Sequence, residues 1–378
     1  MTLALHIKKE IKYIIFIFIR FFDSKIFIGK ILTSSNNNNL KIRKRKTLIK
    51  DNVYSIGTQN TIVQCKENIC VKYIKCYYSS KYRALFDVSG EKILSCSSAI
   101  RWADVPSKIH INHSAEIIEE NLTFVGDIEM WHYGHFLIEG LAHIWVALLG
   151  GQQNRFFYLG EILSLKNYFL RKKISYLDFC MNQIGIKRND FVFLDRDAFL
   201  NNLYIPDPTF IIDLKAFEKH ASFFNQIYIN VSKGKSENRK KTIYLSRRNF
   251  KSKSRNIINE IELEKKLKTL KIDTIYPESL KLSDQILLFN SYKNIIACFG
   301  SAIHTALFSF NPGLQMFVLI AENTNLKTAK LIDKLTKTES FYIPALKNIK
   351  TLDRPDFLND KIIDIEDVVC RLYKHNVI

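Results

Sequence analysis

The stretch Asn294-Ile-Ile-Ala-Cys298, followed by Phe299-Gly-Ser-Ala-Ile-His304, decides the fold. A short apolar run, closed by glycine and serine and feeding a helical pattern, is the signature of a buried strand that turns directly into a helix. The same unit recurs on either side. Upstream, strand Thr242 to Leu245 precedes a helix over about 256–270, and strand Asp273 to Tyr276 precedes a helix over about 281–291. Downstream, a helix over about 302–309 leads to strand Leu314 to Ile320. Strands alternating with helices of this length imply parallel βαβ units, whose ligands bind beyond the strand C-termini. The turns to inspect are therefore those after Leu245, Tyr276 and Cys298.

Working toward the N-terminus, the charged stretch Val231 to Lys241 reads as an exposed boundary. Before it the pattern is mixed. Strand-like runs occupy Thr61 to Cys65 and Ile69 to Ile74, and Leu122 to Gly126 reads as a buried strand. Tyr133 to Leu149 has apolar residues at helical spacing, followed by runs at Arg155 to Leu159 and Phe191 to Leu194 around a helix near 174–184. Residues 34–39 form a polar low-complexity tract, Ser-Ser-Asn-Asn-Asn-Asn, and Lys41-Ile-Arg-Lys-Arg-Lys46 follows it. The expected organisation is an anchor or linker over 1–49, a first domain over 50–230 and a nucleotide-binding domain over 231–378.

Composition bounds the function. With 378 residues, 47% hydrophobic and 12% aromatic, the chain can bury a large core, which excludes a disordered protein. The formal charge of +19 favours anionic partners, although abundant Lys, Ile and Asn also fit AT-rich coding. Basic residues are dispersed without an aromatic-basic module, so nucleic acid is not the expected partner, and a basic nucleic-acid-binding protein is an alternative only. Seven cysteines without CxxC spacing suit a reduced compartment and exclude a thiolate zinc site. The apolar run Tyr13 to Ile19 is cut by Arg20, too short to span a bilayer. With the basic run it suggests peripheral contact with anionic membrane, hence a cytoplasmic location at the inner face of the cell membrane.

Two turns carry the polar groups that a nucleotide diphosphate needs. Ser246-Arg247-Arg248 follows the first strand, with Arg255, Asn259 and Glu260 where the next helix opens. Guanidinium forks bind phosphate oxygens bidentately. Gly300 admits close backbone approach, and Ser301 at the helix start is placed to cap it and leave amides facing an anion. Gly234-Lys235-Ser236 is no P-loop, because its earlier glycine would fall at Ile229.

Read together, Leu245-Ser-Arg-Arg248, Arg255, Asn259-Glu260, Tyr276-Pro-Glu278, Gln285, Gly300-Ser-Ala-Ile-His304 and Phe308 resemble the catalytic domain of glycosyltransferase family 61. The segment Tyr133-Gly-His-Phe-Leu-Ile-Glu-Gly-Leu141 resembles that family's other recurring motif. The resemblance covers roughly residues 120–320. It implies an α/β, GT-B-like fold with two Rossmann-like domains facing a cleft, and an inverting transfer from a nucleotide-sugar donor to a glycan or lipid-linked glycan acceptor. It implies no cofactor and no essential metal; bacterial members often serve capsule or lipopolysaccharide synthesis. The chain departs from the family where Phe299-Gly300-Ser301 replaces a common His-Gly-Ala, and where Thr305 stands in place of a frequent Asn.

An inverting transfer needs a base for the acceptor hydroxyl and positive charge for the departing diphosphate. His135 is the first candidate base, with Glu139 one turn on as its orienting group or as the base itself. Arg247, Arg248, Gly300 and Ser301 are the expected leaving-group contacts, Glu278 or Gln285 is expected at the ribose or base, and His304 at phosphate. Residues 135, 139 and 143 at i, i+4 and i+8 also raise a metal-ligand reading, without an HExxH pattern. A polysaccharide pyruvyltransferase, which has a similar Gly/Ser-His turn, is the enzymatic alternative.

Overall fold

The computed structural model describes residues 46–56, 61–93, 105–126, 132–149, 155–159, 175–233, 240–250, 256–349 and 359–378. Arg255, the N-terminal apolar run, the 34–39 tract and most of the basic run lie outside them. Among the described residues no helix is long and apolar enough to cross a membrane.

The first sheet has nine strands among the described residues: β1 (Lys46–Ile56), β2 (Ile62–Ser79), β3 (Ala84–Phe86), β4 (Glu116–Phe124), β5 (Arg155–Phe157), β6 (Phe191–Val192), β7 (Ala198–Pro206), β8 (Phe210–Ile211) and β9 (Lys215–Phe217). Their spatial order is β6-β5-β4-β7-β2-β1-β9-β8, with β3 paired to β2. Strands β6, β5, β4 and β7 run parallel, whereas β7, β2, β1, β9 and β8 pair antiparallel. This sheet is mixed, so the expectation of a Rossmann-like first domain is corrected. The cause is the long β1–β2 hairpin, registered from Lys46 opposite Lys72 to Ile56 opposite Ile62, which needs no helical crossover.

Helix α1 (Ser175–Gln183) precedes β6, and α2 (Glu218–Ser232) follows β9. The second sheet holds β10 (Lys240–Leu245), β11 (Asp273–Ile275), β12 (Tyr292–Cys298), β13 (Gln315–Ala321), β14 (Glu339–Asn348) and β15 (Lys361–Ile363). Its helices are α3 (Glu260–Thr269), α4 (Leu282–Ser291), α5 (Lys327–Thr336) and α6 (Ile365–Lys374). The order is β11-β10-β12-β13-β14-β15, parallel throughout except for β15 at the edge. In chain order the five parallel strands lie 2-1-3-4-5, a doubly wound arrangement whose winding reverses between β10 and β12. Strand β12 is buried along most of its length, as expected for a strand covered on both faces. Helix α3 places Glu260 and Glu262 in its first turn and Lys266 and Lys268 in its last, matching the helix dipole.

The boundary expected at residue 230 falls within the last turn of α2. That helix packs on both halves: Phe224 meets Phe308 edge-on at 4.7 Å between ring centroids, and Tyr228 stacks on Phe310 at 5.8 Å. One core joins Val125, Phe136 and Leu137 with Leu245, Ile295 and Val318. On another face, Asp213 accepts from Thr328 Oγ1 at 2.6 Å and from Asn325 Nδ2 at 2.7 Å, tying the turn between β8 and β9 to the start of α5.

The segment 133–149 is not the regular helix that its periodicity predicts. It opens as a single α turn, Tyr133–His135, widens to a π turn over Phe136–Gly140 and ends as a 3₁₀ helix over Ile144–Leu149. The wide turn is closed by Leu141 N donating to the Phe136 carbonyl at 3.0 Å. Wide turns of this kind recur at functional sites.

Candidate active site

The site is built where the second sheet reverses its winding. Strand β10 ends in Ser246-Arg247-Arg248, and its neighbour β12 ends in Phe299-Gly300-Ser301. An added Cβ at Gly300 would stand 3.5 Å from Arg247 Nη1, so the guanidinium lies directly against the glycine turn. Arg247 is half-buried, and its guanidinium makes no hydrogen bond or ion pair among the described residues. Its backbone is fixed instead: Arg247 N donates to Glu260 Oε1 at 2.8 Å, and the buried Tyr244 hydroxyl donates to the same oxygen at 2.7 Å. Burial pushes the Glu260 carboxyl up, against the opposing pull of these donors.

Arg248 is differently placed. Its Nε donates to Glu264, with a closest ion-pair distance of 3.1 Å, and its Nη2 donates to the Tyr276 hydroxyl at 2.6 Å. Ser246 Oγ donates to Glu264 at 2.7 Å, and the Tyr276 hydroxyl reaches the other carboxylate oxygen at 3.1 Å. Glu264 thus gathers three neighbours at the end of β10 and β11. Sequence reasoning overlooked it, although a carboxylate one turn after Glu260 and among Leu263 and Leu267 on the buried face of α3 was the available signal.

Several expected ligand contacts turn inward. The Asn259 side chain pairs with the backbone of Ile363, donating and accepting at 2.8 Å each, and so joins α3 to β15. Glu260 holds the Arg247 backbone, as described. Gln285 Nε2 donates to the Pro277 carbonyl at 2.8 Å and fixes the turn carrying Glu278. The Asn259 amide, the Glu260 carboxylate and the Gln285 amide nitrogen are thus engaged within the protein, where they position the turns that carry Arg247 and Glu278. Glu278 is exposed on the turn after β11. Ser301 is exposed and does not cap: the N-cap position is Gly300, and no side chain caps this end. Over Ser301–Phe308 the helix is 3₁₀, whose geometry leaves the Ser301 and Ala302 amides without intrahelical partners.

The second motif docks onto this turn. Gly134 lies so close that an added Cβ would stand 2.7 Å from His304 Nδ1 and 3.0 Å from Ser301 Cβ. This proximity is the physical reason for a glycine between Tyr133 and His135. The Tyr133 hydroxyl is 3.0 Å from Thr305 Oγ1. His135 follows at once, half-buried, with its Nδ1 hydrogen-bonded to Glu139 Oε2. Its ring lies 6.0 Å from that of His132.

His304 Nδ1 is shut away from solvent beside Gly134, and burial pushes the pKa of the ring down to about 4. The His304 ring packs against Gly134 on its Nδ1 side. The i, i+4, i+8 metal-ligand reading also fails in its geometry. The π turn breaks the shared face, and His143 points into the core, its Nδ1 2.8 Å from the Pro206 carbonyl and its ring edge-on to Phe124.

The fold and site define an α/β protein whose sheet reversal brings together a guanidinium, the start of a 3₁₀ helix and an adjoining His-Glu pair. Residues 133–317 match the family model described as Glycosyltransferase 61, so the chain carries a glycosyltransferase family 61 region and is a glycosyltransferase. This match supports neither the pyruvyl-transfer nor the nucleic-acid alternative. No curated protein matches the chain.

Proposed function

We propose that the chain transfers a sugar, with inversion, from a nucleotide-sugar donor to a glycan or lipid-linked acceptor in surface polysaccharide synthesis. The observation that carries this reading is Arg247: a guanidinium without an ion-pair partner among the described residues, against Gly300, at the reversal point of a parallel sheet. In the mechanism, Arg247 and the Ser301 and Ala302 amides hold the diphosphate as negative charge develops on it. Arg248 contributes from the rim, where it is already tied to Glu264. His135 takes the proton from the acceptor hydroxyl through the ring nitrogen not bonded to Glu139, and Glu139 orients the ring and stabilises its charged form. The same reading assigns residues 50–230 to an acceptor-side domain and 231–378 to a donor-side domain. It keeps the protein in the cytoplasm, at the inner face of the membrane.

A thermal-shift screen against UDP-, GDP-, CMP- and dTDP-sugars tests it, because a ligand that binds only the folded state raises Tm. One class of nucleotide should raise Tm for the native chain and not for Arg247→Ala. His135→Ala should keep the shift and lose turnover by on the order of 10²- to 10⁴-fold, the usual contribution of a general base. Turnover should survive chelation, since the counter-charge is guanidinium. A shift retained in Arg247→Ala refutes the assigned phosphate contact.

A further inference from the structure

The reading above needs the base and the diphosphate cradle at a fixed separation, yet they come from segments far apart in sequence. The chain joins them at one place. Tyr133, two residues before His135, sends its hydroxyl to Thr305 Oγ1 at 3.0 Å, and Thr305 lies four residues after Ser301 in a fully buried position. Around this bond the fit is tight. The Tyr133 ring packs edge-on against Tyr176 at 5.6 Å, Tyr176 packs against Phe136 at 4.8 Å, and Gly134 abuts Ser301 and His304.

We propose that Tyr133 and Thr305 form a positioning pair: their hydrogen bond sets where the His135-Glu139 pair stands relative to the Gly300-Ser301 turn. The inference rests on the nucleotide-sugar reading for its catalytic consequence. The geometry of the surrounding backbone supports it. The segment after Tyr133 is a single α turn opening into a π turn, a form that does not fix the direction of His135 through regular helix geometry. The 3₁₀ helix carrying Thr305 is likewise short, with no side-chain cap at its start. Two weakly self-defined segments are brought into register by a partly buried side-chain contact, and a small displacement between catalytic groups is costly in rate. Burial keeps the Tyr133 hydroxyl protonated by raising its pKa far above the usual range.

The test uses the full chain with Tyr133→Phe, Thr305→Val, both together, and Thr305→Ser. Histidine rings are labelled and followed by NMR in the unliganded protein, with the His135 signals assigned by their loss in His135→Gln. Each hydroxyl-removing variant should shift or broaden the His135 signals while leaving those of His143 and His220 in place. The double variant should do no more than either single one, because both remove one bond, and Thr305→Ser should restore the native signals. In the donor assay, kcat should fall on the order of tenfold to a hundredfold, with the nucleotide-induced rise in Tm unchanged. Native His135 signals in both single variants overturn the proposal, whatever happens to Tm, because a merely stabilising bond would behave that way. Lack of any nucleotide-induced Tm rise in the native chain would instead count against the donor reading, leaving the positioning pair to be judged by the histidine signals.

Discussion

Gly134 is the residue on which the two motifs depend. Its Cα stands where any side chain would collide with His304 Nδ1 and crowd Ser301. Gly134→Ala should therefore behave as overpacking, costing about 1–3 kcal/mol, measured as a lower urea midpoint. His304→Ala in the same chain should recover part of it, since the clash is with the imidazole. The buried imidazoles also give stability a pH dependence. His304 is pushed down to about 4 and His220 to about 3, each from an ordinary 6.5 and each mainly by burial. In the unfolded chain both take up protons near pH 6.5, so their stabilising contribution is complete above that pH and is lost as pH falls toward 4. Asp333 acts in the opposite direction. Burial raises it from 3.8 to about 6, so its contribution is full below 3.8 and is lost as pH rises through 6. Urea midpoints measured from pH 4 to 8 should rise up to about 6.5 and level off above it, and Asp333→Asn should steepen the rise between about pH 4 and 6 by removing the one term that opposes it.

At the scale of elements, α3 acts as a bracket. Asn259 fastens its start to β15, Glu260 holds the Arg247 backbone, and Glu264 collects Ser246, Arg248 and Tyr276. Glu260→Ala would leave the Tyr244 hydroxyl and the Arg247 amide without their acceptor. It should cost about 1–3 kcal/mol per group left unsatisfied, and it should weaken nucleotide binding without touching the ligand. A nucleotide-induced Tm rise of native size in this variant would show that Arg247 holds its place unaided. The elements of the second sheet were legible because β10, β12 and β13 are apolar runs covered on both faces, punctuated by Ser246-Arg247 and Gly300-Ser301. The first sheet was harder to read. In β2, charged residues alternate with apolar ones along one exposed face, so a strand of 18 residues looks like two short runs. Helix α2 escaped notice because His220, Ala221, Phe223, Phe224 and Ile227 are all buried, and a helix packed against both halves lacks a clean polar stripe. At the site, sequence marked Arg247, Gly300 and His135. It did not reveal which polar residues turn inward, because Asn259 and Gln285 are satisfied by backbone carbonyls and amides that only the tertiary fold supplies.

For the molecule as a whole, the question is whether the two sheets unfold together. Domains of one chain move freely unless a large apolar interface joins them. Here such an interface exists: α2 carries Phe224 against Phe308 and Tyr228 against Phe310, and one core runs from Phe136 through Ile227 to Ile295 and Leu331. The Asp213 contacts with Thr328 and Asn325 add a polar tie. The tryptophans give a direct test, because all 3, Trp102, Trp131 and Trp145, precede the second sheet. Trp145 is buried in the first half, so the fluorescence change on its exposure reports that half, while far-UV circular dichroism reports both. A joined core predicts coincident denaturation midpoints by the two probes. Phe308→Ala sharpens the test, since it removes a fully buried ring that belongs to the second half and touches α2. Its cost should be about 3–5 kcal/mol, and the fluorescence midpoint should fall as far as the circular dichroism midpoint. If fluorescence keeps its native midpoint while circular dichroism splits into two steps, the halves are energetically separate. The base would then be carried by a unit free to move against the diphosphate cradle, and a Tyr133-Thr305 bond would be too weak to hold them in register.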